Sequence, residues 1–386
     1  MSIWILDEMV ETRQKRRQAS LSQHAVPPVV AGIGENKTLS RMRFVLVPLV
    51  ILWLGCSGLR AQAQQEIVET IKKGDALFEH HKFKEAADTF RDAVRVQPDN
   101  ARAHTKLGSV LAATEDYDTA ILEEQTATKL DPKYFLPHVI LGQIYANQGK
   151  MDNSFAEFKQ AVALKPTSYR AHLDLGFAAL RLDKASESID AYKKAAELEP
   201  KDPAPHLNLG VIYSQKQDYL TAIKEENAAL ELAPNLPEAL INLGNIYAET
   251  GETQKAIDNF RDALRVVPNE PNARSGLGWM LDKQGDHKAA IVEEKKAIKL
   301  FPGFSPAHRR LATALANDGQ TTAADQAFKD TLKIAPKDVT AHVQYGEFLA
   351  KRGDKDAAAG EYKKALELNP QAKVAQEALD KLKQGK

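Results

Sequence analysis

The stretch LGQIYANQGKMDNSFAEFKQAVALKP, residues 141–166, reads as two short helices and the turn between them. Leu141, Gly142 and Tyr145 fall on one helical face. Gln148-Gly149 is turn chemistry. Ser154, Phe158 and Ala161 then form a second stripe at helical spacing, and Pro166 stops the second helix.

The same punctuation recurs along the chain. Prolines stand at 98, 132, 166, 200, 234, 268, 302, 336 and 370, each 34 residues after the last. Glycine keeps that period at 74, 108, 142, 176, 210, 244, 278 and 346, with Ala312 in the remaining place. Two ladders of small residues run in phase, one from Ala86 to Ala358 and one from Ala93 to Ala365. We number each repeat 1–34 from Ile67, Ala101, Phe135, Tyr169, Pro203, Pro237, Pro271, Ser305 and Val339. The ladders then occupy positions 32, 8, 20 and 27.

This pattern of L-G-x-x-Y, then A-x-x-x-F, then P resembles the tetratricopeptide repeat, over residues 67–372. The tryptophan usual at position 4 is absent throughout. Physics points the same way. Positions 4, 7, 8 and 11 make one stripe of an opening helix, and 20, 24 and 27 one stripe of a closing helix. Close approach of two helices needs small residues, so Gly at 8 is expected against Ala or Ser at 20. Each hairpin leaves an apolar face that the next repeat buries. The expected fold class is all-α: an α-solenoid of nine antiparallel helix hairpins at 67–372, which the resemblance makes a right-handed superhelix. A capping helix at 373–386 is expected to bury Val374, Ala375, Ala378 and Leu379.

The first part of the chain differs. Arg41 and Arg43 precede the apolar run Phe44–Leu54, and Ala61-Gln62-Ala63 supplies an A-x-A cleavage pattern. Residues 42–63 therefore read as a signal peptide beginning at Met42. Residues 1–41 read as a disordered extension, either non-native or cytoplasmic. Cleavage after Ala63, lipid attachment at Cys56 and retention as an anchor are the three fates, and the order of elements favours the first. The chain is then exported, periplasmic or secreted, with membrane anchoring as the alternative. GIGENKT (32–38) lacks the glycine before Lys37 that a phosphate loop needs.

The 386 residues carry 52 basic and 52 acidic side chains, a balance that gives no footprint for nucleic acid. Cys56 is the single cysteine, so no disulfide staples the fold. No cofactor and no metal is expected, and nothing reads as catalytic.

Histidine fills position 4 in six repeats: 104, 138, 172, 206, 308 and 342. Adjacent opening helices lie a hairpin apart, so these rings are read as packing residues. Position 24 is aromatic in six repeats but Glu124, Glu226 and Glu294 in three. With 8 opposite 20, position 4 lies opposite 24. Three structural pairs are therefore expected: His104–Glu124, His206–Glu226 and Arg274–Glu294.

A second face of the opening helix, at positions 2, 5, 9, 12 and 13, points away from the first stripe. In the resembled family this side lines a concave groove that binds peptides. Here it carries Val139, Gln143, Leu173, Phe177, Leu180, Leu207, Val211, Ile241, Asn245 and Trp279. These are the candidate partner-binding residues, although position 5 could instead be buried against the adjacent opening helix. The expected function is a non-catalytic adaptor that binds an apolar or amphipathic protein segment. The alternative is a spacer or scaffold of an envelope complex that uses its edges and convex face. The partner is a protein or peptide, not nucleic acid. Membrane contact comes only through the N-terminal segment, if uncleaved or lipidated at Cys56.

Overall fold

The computed structural model describes residues 65–383. The expected extension, signal peptide and Cys56 lie outside the described residues, as does the end of the chain after 383. The described residues form nineteen helices and no strand. The chain is an all-α solenoid of helical hairpins, divided into two compact units at Lys184/Ala185.

The first unit holds opening helices at 65–79, Ala101–Ala113, Leu136–Asn147 and Tyr169–Arg181. Its closing helices are Phe83–Val96, Tyr117–Leu130 and Met151–Leu164. The second unit begins with the closing helix Ala185–Leu198. Its opening helices are Ala204–Gln215, Pro237–Glu249, Pro271–Gln284, Ser305–Asn317 and Val339–Lys351. Closing helices Tyr219–Leu232, Thr253–Val266, His287–Leu300, Thr321–Ile334 and Lys355–Leu368 alternate with them, and Lys373–Lys383 ends the described chain. Within each unit, every helix packs on its neighbours in sequence, and opening helices also touch the opening helix of the next repeat.

Local chemistry sets the helix ends. Asn100, Ser168 and Asp338 cap opening helices through their side chains, accepting from the backbone N–H three residues on. Asp116, Asp218, Asp286 and Asp354 do the same for closing helices. Pro137, Pro205, Pro237, Pro271 and Pro306 sit in first turns, where no N–H is required. Position 15 closes each hairpin in the left-handed region. Five repeats use Gly149, Gly251, Gly285, Gly319 and Gly353 there, whereas His81, Glu115, Asp183 and Gln217 adopt positive φ without glycine's freedom. The next N–H reaches back to the carbonyl of position 11, as in Lys150 to Tyr145 (2.8 Å) and Glu252 to Tyr247 (2.8 Å).

Small residues at positions 20 and 27 are fully buried, as the ladders require. Phe90, Phe158, Phe260, Phe328 and Tyr362 at position 24 fill the space between helices. The expected partner of Gly at position 8 needs correction. A Cβ on Gly142 would stand 2.6 Å from Phe158 Cε1, and one on Gly346 would stand 2.6 Å from Tyr362 Cε1. Position 8 is thus kept bare for the side chain of position 24. Helical side chains lean towards the N-terminus, so residue 24 covers the surface about one turn before its own Cα. At the last helix, Ala375 and Leu379 are buried, but Val374 is 57% exposed. Val374 lies on the solvent side of the cap, contrary to expectation.

Candidate functional site

The three expected structural pairs do not form. His104 Nδ1 lies 2.6 Å from Glu123 Oε2, His206 Nδ1 lies 2.7 Å from Glu225 Oε2, and Arg274 Nη1 donates to Glu293 Oε2 at 2.7 Å. In each case the acid is position 23, not Glu124, Glu226 or Glu294 at position 24. The same link joins His138 to Glu157 and His342 to Glu361. Its other end is a carbonyl of the entering loop. His104 Nε2 lies 2.9 Å from Pro98 O, His172 Nε2 lies 3.0 Å from Pro166 O, and His342 Nε2 lies 3.1 Å from Pro336 O. A position-4 base therefore ties its own repeat to the proline loop before it. That is packing work. Among the described residues no three His, Cys, Asp or Glu side chains gather as a metal site needs.

Glu124, Glu226 and Glu294 are fully buried where other repeats carry an aromatic ring. A Cβ on Gly108, Gly210 or Gly278 would collide with their carboxyl oxygens. Asn242 of the next repeat donates to Glu226 Oε1 at 2.9 Å. Thr105 and Ser275 lie beside Glu124 and Glu294, but neither carboxyl has a well-formed hydrogen bond within the protein. Burial in this apolar layer disfavours the charged form. It raises Glu226 and Glu294 to about 8 and Glu124 well above the usual carboxylate range.

The second helical face splits by position. Position 5 belongs largely to packing between repeats. Val139 is 6% exposed and lies in a cluster with Phe158, Ala161, Ala171 and Ala178, so it is core and not a contact for a partner. Ile71, Thr105, Ser275 and Val343, also at position 5, are buried. Leu173, Leu207 and Ile241 are half-buried there. Positions 9 and 12 are more open. Phe177 is 45% exposed and Asn245 is exposed; Gln143, Leu180, Val211 and Trp279 are half-buried.

Position 6 makes contacts between repeats that the ladders within one repeat do not assign. Its side chain meets position 9 of the repeat before. Lys106 pairs with Asp75 at 2.9 Å, Gln143 donates to Asp174 at 3.0 Å, and Thr313 Oγ1 donates to Gln344 Oε1 at 3.4 Å. Arg310 Cζ stands 4.7 Å from the centre of the Trp279 ring. The signal was present in the sequence: a polar residue recurs at this place on otherwise apolar helices.

In the second unit these contacts surround a groove of about 600 Å³ that crosses the opening helices of repeats six to nine. Trp279 lies against it, with Asn245 and Glu249 on one side and Arg309, Thr313 and Gln344 on the other. Lys283 Nζ is 5.5 Å from the Trp279 ring centre. Arg310 Nη1 donates to Ser275 Oγ at 2.9 Å, and Arg309 Nη1 donates to Gln344 Oε1 at 3.3 Å. Asp282 accepts from Asn317 at 2.9 Å and pairs with His287 at 2.7 Å. The groove thus offers an aromatic wall, amides, the cations Lys283, Arg309 and Arg310, and the carboxylates of Glu249 and Asp282.

Comparisons with known proteins agree with this architecture. Models described as tetratricopeptide repeat match residues 71–135, 138–168 and 211–371, and one described as TPR repeat matches 181–217. No curated protein matches the sequence. A tetratricopeptide repeat protein from Parabacteroides merdae is similar at 20% identity and a TM-score of 0.56, over 64% of this chain and 98% of that one. Cut9–Hcn1, an APC/C hetero-tetramer, is similar at 14% identity and 0.55, over 82% and 76%. PilF of Pseudomonas aeruginosa is similar at 16% and 0.50, over 58% and 99%. Such identities speak to fold alone. Together with nine uninterrupted 34-residue periods, buried small-residue ladders and proline-terminated hairpins, the family models make the assignment: the chain belongs to the tetratricopeptide-repeat family.

Proposed function

We propose that this protein is a non-catalytic adaptor that receives a segment of another protein along the open face of its opening helices. Tetratricopeptide repeats serve generally as protein-interaction scaffolds. The finer reading rests on one observation: the groove beside Trp279, spanning four consecutive repeats of the second unit. An aromatic residue in a partly desolvated concavity, ringed by hydrogen-bonding groups, has the composition of an interaction hot spot. Phe177 offers a comparable exposed aromatic in the first unit. Rigid repeats hold such groups in place before binding, which lowers the entropic cost of capture.

A second reading has its own observation. Leu122, Leu220 and Val292 on closing helices, and Phe301 in a loop, are exposed apolar side chains. They suit a scaffold that engages partners by its outer face and edges. A photo-crosslinking residue at Asn245 and, separately, at Val292 distinguishes the two in native extract. Adducts from Asn245 that vanish with Trp279→Ala support the groove. Adducts from Val292 alone favour the scaffold.

We also propose export, on the signal-like order of residues 42–63. N-terminal sequencing of the mature protein tests it. A start at Gln64 supports cleavage, a lipidated Cys56 supports anchoring, and an intact cytoplasmic chain removes the proposal.

A further inference from the structure

Resting on the groove reading, we infer that the segment received beside Trp279 is acidic, placing an Asp or Glu side-chain carboxylate among Lys283, Arg309 and Arg310. Arg309 and Arg310 are consecutive on the opening helix of repeat eight, and both line the groove. Two guanidiniums side by side repel. Burial lowers the pKa of Arg310, Glu294 and Glu249 pull it back up, and the charge of Arg309 lowers it further. A further counter-charge would favour both guanidiniums.

The protein's own acids supply only part of it. Glu294 lies within electrostatic reach of Arg310, but burial raises its carboxyl to about 8 and so disfavours its charged form at pH 7. Asp282 is held by His287 and Asn317. Asp338 accepts from Ser305 Oγ and caps the helix beginning at Val339, and it stands 3.7 Å from Arg309 Nε. Glu249 remains, exposed on the rim. Across the groove, Lys283 makes no ion pair among the described residues and rests only against Trp279.

An arriving carboxylate would satisfy this arrangement. Guanidiniums present planar donors matched to carboxylate oxygens, and such charge-assisted bonds are short and strong. The methylenes of the same Asp or Glu side chain can lie along the indole. A basic segment would instead add a cation to a ring already approached by Arg310 and Lys283.

The test uses the full chain and three pentapeptides carrying the same fluorescein label, EEFEE, QQFQQ and KKFKK, amidated at the C-terminus so that they differ only in side-chain charge. Fluorescence anisotropy reads binding. We expect EEFEE to bind about tenfold more tightly than QQFQQ, with KKFKK weakest. Lys283→Ala, on an exposed side chain, and Arg309→Gln should each weaken EEFEE about threefold and QQFQQ by less, so that the preference between them narrows. Equal binding of EEFEE and QQFQQ, both lost with Trp279→Ala, would overturn the acidic preference and leave the groove reading standing. Binding indifferent to Trp279→Ala, or no binding of any peptide, would count against both.

Discussion

Replacing Glu226 by Gln keeps the shape of a fully buried side chain and removes its ability to ionise. The amide oxygen of glutamine can still accept from Asn242, 2.9 Å away. In an unfolded chain the carboxyl titrates near 4.5, and burial raises it to about 8 in the fold. Between those values the folded state holds a proton that the unfolded state has released, so stability falls as pH rises. The contribution is complete below 4.5 and lost once pH has passed 8. Each pH unit in the window removes about 1.4 kcal/mol, so the native carboxyl costs about 3 kcal/mol at pH 7 and about 5 kcal/mol at pH 9. Glu226→Gln should therefore match the wild type at pH 4.5 and exceed it increasingly above that. Repeat arrays can open locally, so a global midpoint reports on this one repeat only in part. Amide hydrogen exchange of the helix Tyr219–Leu232 is better, with variant and wild type compared at the same pH. The extra protection of the variant should grow from pH 5 to pH 8. A constant difference, or a variant less protected at pH 8, would refute the account of a buried, neutral carboxyl.

Three further outcomes follow from the packing. His342→Ala removes both the Glu361 and the Pro336 contacts and should cost about 1–3 kcal/mol in urea unfolding, whereas His80→Ala, on an exposed turn, should cost almost nothing. Gln217→Gly relieves a positive φ of 60° at the hairpin turn and should stabilise by up to about 1 kcal/mol; Gly251→Ala, at φ 81°, should destabilise by a similar amount, read as opposite shifts in thermal midpoint. Leu379→Ala should cost about 2–4 kcal/mol because it empties a buried site of the last helix, and Val374→Ser should leave the urea midpoint unchanged.

The period was legible because it is a covalent fact: one proline every 34 residues fixes where helices stop, whatever packs around them. Small residues at 20 and 27 were legible for a related reason, since helices that approach closely leave no room for anything larger. The pairings failed at a finer scale. Treating side chains as points on a helical wheel placed position 4 opposite 24. Real side chains lean one turn towards the helix N-terminus. Phe158 thus covers Gly142, and Glu226 covers Gly210, leaving position 23 to meet His206.

The same lean separates two kinds of residue on the second face. Val139 at position 5 is drawn into the layer between repeats, while Asn245 at position 9 stays open and Trp279 lines a groove. Position 6 was hidden because its meaning lies in the repeat before it. Arg310 is an unremarkable surface arginine until Trp279, thirty-one residues earlier, is folded over it. Contacts of that separation form only once a second repeat has stacked, so the polar residue recurring at position 6 marks the place without naming its partner. Variation at 6, 9 and 24 therefore changes what a repeat presents without disturbing the ladders that stack it. Repeat seven carries Trp279 at position 9 and Glu294 at position 24, with Arg310 of repeat eight between them. The departures from the aromatic layer and the candidate binding face are thereby joined through one guanidinium.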